Sequence, residues 1–247
     1  MNICVTGGAG FIGSHLVDRL IELGHDVLVI DNLSTGMRSF VHEDAQFIEM
    51  DVRDPKLLSV FEEFKPSIVF HEAAHTIVQS SMENPSYDCD VNLIGLINVL
   101  DACRKVNVEQ FLMPSSAAVY GDLAVLPLTE DLSGMPSSFY GLTKLTAEGY
   151  LRIYHEAFGL NTVCFRYANV YGPRQGDGGE GGVISIFNRL IVEGQPLTVF
   201  GDGEQTRDFI YVDDVVDANI KAMGNGQCTG IYNISTNKGT SVNELIT

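Results

Sequence analysis

Basic residues are scarce in this chain: 15 lysines and arginines face 32 aspartates and glutamates, a formal net charge of −17. Such a polymer is repelled by nucleic acid and by anionic membrane surfaces, which sets both partner classes aside. Long apolar runs are missing too. No stretch of eighteen apolar residues occurs, and the N-terminus has neither a basic start nor a cleavage site, so neither a membrane span nor a secretory leader is expected. The five cysteines (Cys4, Cys89, Cys103, Cys164, Cys228) form no CxxC pair. An odd number, scattered through apolar stretches, suits reduced and buried thiols in the cytoplasm and argues against disulfides or a zinc site. No metal is expected.

What is present is a folding composition. Apolar residues make up 45% of the 247 positions and charged residues only 19%, so disorder is excluded and a substantial core can be buried. Short, near-continuously apolar runs at Ile3 to Val5, Val27 to Ile30, Phe47-Ile48, Ile68 to Phe70, Phe111 to Met113 and Thr162 to Phe165 read as parallel strands covered on both faces. Between them 11–23, 55–64, 84–106 and 139–158 read as helices. This alternation predicts an α/β fold, a doubly wound parallel Rossmann-type sheet. The texture changes near residue 170. We therefore expect a dinucleotide-binding domain over 1–170 and, over 171–247, a smaller interleaved substrate-binding part that returns to the main sheet. Residues 176–182 are five-sevenths glycine, and that loop folds over the substrate or merely connects. The last residues, SVNELIT, read as the opening of a helix that is cut off, so the C-terminal portion is expected to be truncated.

Gly7, Gly10 and Gly13 stand between the first strand and first helix with the spacing G-x-x-G-x-x-G. Glycine there permits a tight turn and close approach of backbone N–H groups to a pyrophosphate at the helix N-terminus. The alternative is a plain strand-to-helix turn. Asp31 ends the second strand, where a carboxylate accepts both adenosine ribose hydroxyls and repels a 2′-phosphate. Asn32-Leu33-Ser34 follows without an arginine, so NAD is expected rather than NADP.

Tyr140 and Lys144 are spaced i, i+4, which puts phenol and ammonium on one helical face. A free tyrosine titrates near 10, and a neighbouring ammonium lowers that value. Ser116 lies upstream at the end of the fifth strand, on the edge where parallel sheets bind ligands. Ser, Tyr and Lys on that edge form a hydride-transfer site.

The segments TGGAGFIGSHL, DNLSTG, SSAAVYG, YGLTK, RYANVYGPRQ and FGDGEQTRDFIYVDDV resemble, in identity and order, those of the extended short-chain dehydrogenase/reductases, within them the NAD-dependent epimerase/dehydratases of the UDP-glucose 4-epimerase type. The resemblance implies that Ser116 and Tyr140 hold the sugar 4-hydroxyl, with Tyr140 as base and Lys144 on the nicotinamide ribose. It implies cofactor contacts at Phe11, Ile12, Asn32, Ser34, Thr35, Gly36, Ala73, Ala74, Asn92 and Tyr167, with Asp51 and Val52 beside the adenine. It further implies UDP contacts at Asn169, Val183 and Arg207, with Thr198 and Phe200 framing the uracil. For Arg207 the alternative is a surface ion pair among Asp202, Glu204 and Asp208. Related enzymes continue for several tens of residues, a tail that supplies a second phosphate-binding arginine and a wall of the sugar site.

Dehydratases of this kind carry Asp or Glu after the catalytic Ser/Thr, whereas this chain has Ala117-Ala118, which favours simple 4-epimerisation of UDP-glucose/galactose or their N-acetyl forms. The alternatives are a nucleotide-sugar dehydratase or reductase, or an NAD-responsive binding protein. Glu72 and His75 depart from the apolar and amide residues usual at those positions, and Pro114 interrupts a central strand. Apolar residues beyond one core face (Val91, Ile94, Ile97, Leu100; Leu145, Leu151, Ile153) and the usual assembly of the family imply a homodimer paired through the helices at 84–106 and 139–158.

Overall fold

In the computed structural model, which describes residues 1–123, 127–176 and 182–247, the apolar runs pair as one parallel sheet. Strands β1 (Asn2–Thr6), β2 (Asp26–Asp31), β3 (Gln46–Glu49), β4 (Ile68–His71), β5 (Gln110–Ser116), β6 (Asn161–Tyr167) and a later strand, Gly230–Ile234, lie in the order β3-β2-β1-β4-β5-β6 and then Gly230–Ile234. All six pairings are parallel. Successive side chains therefore feed two cores. Ile3 and Val5 pack with Leu16, Val17 and Leu20 of α1 (Phe11–Glu22). Cys4 packs on the other face with Phe61, Leu100 and Leu151. Those three come from α2 (Leu57–Phe64), a helix ending at Val106, and α6 (Phe139–Phe158).

The helix expected at 84–106 is built in pieces. After α3 (Val78–Glu83), Asn84 accepts a hydrogen bond from the Tyr87 N–H and Pro85 opens α4 (Pro85–Cys89). A π-helical stretch, Asp90–Gly95, then runs into α5 (Leu96–Val106). Two of the apolar residues expected on an outer face, Leu100 and Leu151, belong to the core instead. By contrast α6 has the expected bounds: Ser138 caps its start through the Gly141 N–H, and Gly159 at φ 73° ends it. Helix α2 begins at Leu57, not Pro55, because Asp54 holds the Lys56 N–H in a turn.

Pro114 sits within β5 without a cost in pairing. The β4 neighbour pairs only as far as Leu112, while β6 pairs through Ser116. The Pro114 carbonyl accepts from Lys144 Nζ at 3.0 Å, so the missing N–H lies on the side where the ladder has already ended.

Strand β7 (Asn169–Tyr171) pairs with β8 (Thr206–Tyr211), and β8 with a short strand, Gly239–Ser241, in a separate small sheet. Helix α7 (Val183–Val192) precedes β8, and α8 (Val212–Ala222) packs against α1. In chain order Gly230–Ile234 is β9 and Gly239–Ser241 is β10; SVNELIT forms a helix, α9 (Val242–Leu245), with a Ser241–Glu244 capping box. No cysteine is disulfide-bonded. Cys4, Cys103 and Cys164 are buried as expected, Cys228 is half-buried and Cys89 is exposed.

Candidate active site

Strand order reverses between β1 and β4, so the loops after both strands diverge and leave a cleft at the C-terminal edge of the sheet. That cleft encloses about 250 Å³. Its floor is the glycine turn. Gly7 has φ +73°, and a Cβ there would stand 2.5 Å from the Ala73 N. A Cβ on Gly13 would collide with the Gly7 carbonyl oxygen. The turn thus presses strand, loop and helix together, and the N–H groups of the first turn of α1 have no intrahelical partner. Asp31 is buried, with Oδ2 accepting the Ala9 N–H at 3.0 Å and Oδ1 accepting the Leu33 N–H at 2.8 Å. Each oxygen keeps a further lone pair for a ribose hydroxyl. These features fit a dinucleotide: a backbone cradle that a side chain would fill, and a carboxylate one strand away.

Above that floor lies the triad. Ser116 Oγ accepts the Ala118 N–H at 3.1 Å and lines the cleft. The neighbouring Ser115 donates to Glu148 Oε1 at 2.6 Å, which anchors the strand end to α6. Lys144 Nζ lies 5.9 Å from the Tyr140 ring centroid, and burial pushes its pKa below the ordinary lysine value. Glu148 also forms a two-point pair with the Arg166 Nε and Nη2 at 2.9 and 2.8 Å, both side chains almost wholly buried. Tyr167 Oη accepts from Asn219 Nδ2 at 2.7 Å, and burial raises its pKa well above the tyrosine norm.

The cleft collects Gly7, Gly10, Phe11, Ile12, Gly13, Asp31, Thr35, Gly36, Ala74, Ser116, Tyr140, Lys144 and Tyr167 from the expected set. Other expected residues stand outside its lining. Asn32 donates to Asp51 Oδ2 at 2.8 Å, and its Oδ1 accepts the Ser34 N–H. Hydrogen bonds from Arg53 hold the Asp51 carboxylate well below its usual range, and Arg53 also pairs with Asp90. Val52 is buried, and Ala73 packs against Gly7. The amide of Asn92 is engaged by His75, Asp88 and Thr143.

Farther out, Asn169 bonds the Asp208 carbonyl, Val183 opens α7, and Thr198 and Phe200 are exposed, Phe200 by 80%. Arg207 is exposed on β8 and donates to the Thr206 carbonyl. The ion-pair alternative for Arg207 does not hold among the described residues: Asp208 is taken by Thr236, Glu204 by Asn243, and the Asp202 carboxylate by the Glu204 N–H. Of the glycine-rich loop, 177–181 lies outside the described residues.

Among the cleft residues not assigned to the site from the sequence are Glu72, Thr76 and Gln175. Only Glu72 carried a signal, as a charge where an apolar residue is usual. His71 and His75 also have the spacing of a zinc-binding HExxH helix, yet the segment is a strand end and loop. The His71 ring bonds Thr6 Oγ1 at 2.8 Å, and the His75 ring bonds Asp88 and Ser80 at 2.8 and 3.0 Å. Among the described residues no group of three or more His, Cys, Asp or Glu could hold a metal.

Comparison with known proteins agrees with this geometry. Residues 3–235 match the model of the NAD dependent epimerase/dehydratase family. The chain is 40% identical over 253 residues to the UDP-glucose 4-epimerase of Mycolicibacterium smegmatis, covering 100% of this chain and 81% of that one. It superposes on a Thermotoga maritima UDP-glucose 4-epimerase solved with UDP-glucose at a TM-score of 0.95, with 43% identity over 99% of this chain and 80% of that one. A Thermus thermophilus UDP-glucose 4-epimerase in complex with NAD gives 0.94, with 40% identity over 100% and 81%.

Proposed function

The chain belongs to the NAD dependent epimerase/dehydratase family, and from that premise we propose that it interconverts the C4 epimers of a UDP-hexose, UDP-glucose and UDP-galactose or their N-acetyl forms. The observation that carries this reading is the meeting of Ser116, Tyr140 and Lys144 over the glycine turn, with only Ala117 and Ala118 after the serine. Tyr140 takes the proton of the sugar 4-hydroxyl, Ser116 orients that hydroxyl, and Lys144 favours the phenolate. NAD, when bound, supplies the hydride acceptor and donor for C4. The 4-keto sugar turns its other face before reduction, and Tyr140 returns the proton to O4. No net cofactor is consumed.

The adenosine half of NAD is assigned to Asp31, Asn32, Ser34, Asp51 and Val52, with Ala73 and Asn92 supporting the loop beside them. Arg207, exposed and bonded only to the Thr206 carbonyl among the described residues, is assigned to the UDP phosphates with Asn169 and Val183, and Thr198 and Phe200 to the uracil. We assign 1–170 to the cofactor and 171–247 mainly to the substrate. The exposed Ile94, Leu142, Tyr150, Ile153 and Phe158 support a homodimer paired through 84–106 and 139–158, and we assign the protein to the cytoplasm. The test is the product formed from UDP-galactose and from its N-acetyl form without added NADH. Epimers at C4 are expected; a stable 4-keto product, or a requirement for added NADH, would overturn the reading.

A further inference from the structure

Glu72 is the first residue beyond β4, where β1, β4, β5 and β6 end side by side. Its N–H donates to the Thr6 carbonyl at 2.9 Å, which fixes the backbone, and its side chain lines the cleft with Lys144 and Tyr167. Although the residue as a whole is half-buried, Oε1 is shut off from solvent and accepts no hydrogen bond from the protein. An enclosed carboxyl without a full set of donors resists ionisation. Burial pushes Glu72 up to about 7, against the opposing pull of Lys144 and then of the Tyr167 phenol.

Three carboxyl groups act on the Lys144 ammonium: Glu72, Asp88 of α4 and Glu148 of α6. Two of them are committed elsewhere. Asp88 accepts from Thr143, Asn92 and the His75 ring. Glu148 accepts from Arg166 and Ser115. The remaining titratable neighbours stay uncharged near neutrality: burial holds His71 down to about 3 and raises the Cys164 thiol and the Tyr167 phenol. Glu72 is therefore the group of this cluster whose charge changes near neutral pH; its Oε1 has no partner, and its one side-chain hydrogen bond is to the Tyr167 phenol.

We propose that Glu72 is a positioning residue acting through Lys144: its carboxyl is the counter-charge that limits how strongly Lys144 favours the Tyr140 phenolate. The inference rests on the reading of Tyr140 as base. While Glu72 is protonated, the full charge of Lys144 acts on Tyr140. Once Glu72 ionises, part of that charge is neutralised and Tyr140 holds its proton to higher pH. Asp88 and Glu148 keep Lys144 charged in either case, so the Glu72 proton adjusts the base without abolishing it. An apolar residue at this position imposes no such limit.

The test is an ultraviolet titration of tyrosinate in the NAD-loaded protein without nucleotide sugar. The curve of Tyr140→Phe is subtracted from those of the native chain, Glu72→Gln and Glu72→Leu. In both Glu72 variants the Tyr140 midpoint should fall by about half to one pH unit, and the alkaline-rising limb of kcat should move with it. A midpoint unchanged or raised in either variant that still binds NAD overturns the proposal. Failure of the underlying reading looks different: Tyr140→Phe would then keep its turnover. Should Tyr140→Phe lose turnover while the Glu72 variants leave the midpoint in place, only the role of Glu72 falls.

Discussion

Thr143 donates a 2.8 Å hydrogen bond to Oδ2 of Asp88, a carboxylate with no solvent exposure. Thr143 immediately precedes Lys144 on α6, and Asp88 lies on α4. The other oxygen, Oδ1, faces the His75 Nδ1 at 2.8 Å and the Asn92 amide at 3.1 Å. A carboxylate only accepts, so the His75 Nδ1 carries a proton, and Nε2 bonds the Ser80 hydroxyl at 3.0 Å. This chain of bonds clamps the loop after β4 to the helix that presents Tyr140 and Lys144. It also gives His75 a structural place. Asp88→Ala leaves the His75 Nδ1–H without its acceptor and takes one bond each from Thr143 and Asn92, which keep the Tyr140 and His75 carbonyls, and should cost about 2–4 kcal/mol. Urea denaturation at neutral pH measures it, and an unchanged midpoint would mean the clamp contributes nothing.

Tyr140→Phe should keep NAD binding while turnover drops at least about a hundredfold, the usual scale of a general base. Ser116→Ala should lose as much or less, because that hydroxyl only orients the substrate. Lys144→Met should also raise the pH needed for activity, since it removes the ammonium that favours the phenolate. Steady-state kinetics across pH, with cofactor affinity checked separately, distinguishes the three.

Asp31 serves both the fold and the cofactor, because its two oxygens hold the Ala9 and Leu33 N–H groups. Asp31→Ser should weaken NAD binding by about ten- to a hundredfold, roughly 1.4–2.8 kcal/mol. NADP affinity should change less, since the repulsion of a 2′-phosphate disappears with the carboxylate. Fluorescence titration with both dinucleotides reads the ratio. A ratio equal to that of the native chain would show that the carboxylate does not select between them.

The parts legible in the sequence are those fixed by local pattern. Ile3-Cys4-Val5 and Val27-Leu28-Val29 announce two-faced strands, Ser138 and Gly159 bracket α6, and Gly13 is required by contact with Gly7 within one turn. What escaped depends on distant neighbours. Nothing adjacent to Asn92 says that Asp88 and Thr143 will consume its amide. In the π-helical stretch that interrupts 84–106, Gly95 lies against Val52, more than forty positions away in the chain, where a Cβ would stand 2.8 Å from a Val52 methyl. Pro114 looked like an interruption only because the sequence does not show where β4 stops pairing. Glu72 was visible as an oddity, but its meaning comes from Lys144 and Tyr167, brought beside it by α6 and β6.

The same carboxyl makes a prediction about stability. In the unfolded chain Glu72 titrates near its ordinary value of 4.5, whereas in the folded protein burial, the largest cause, raises it to about 7. Between those values the folded state holds a proton that the unfolded state has released. Stability linked to Glu72 is therefore fully present below about 4.5, falls as pH rises through the window, and levels off above about 7. Glu72→Gln stays neutral at every pH and removes this dependence. At pH near 5 the variant and the native chain should differ little. At pH near 8 the variant should be the more stable by about 1–3 kcal/mol, the cost of enclosing an incompletely paired carboxylate. Paired urea melts at the two pH values measure the change in the difference, so that any pH-independent effect of the substitution cancels. Asp51 runs the opposite way, since Arg53 holds its pKa low and its contribution is lost only as pH falls, and it is common to both proteins. A difference that does not grow between the two pH values would mean that Glu72 ionises as easily in the fold as in water.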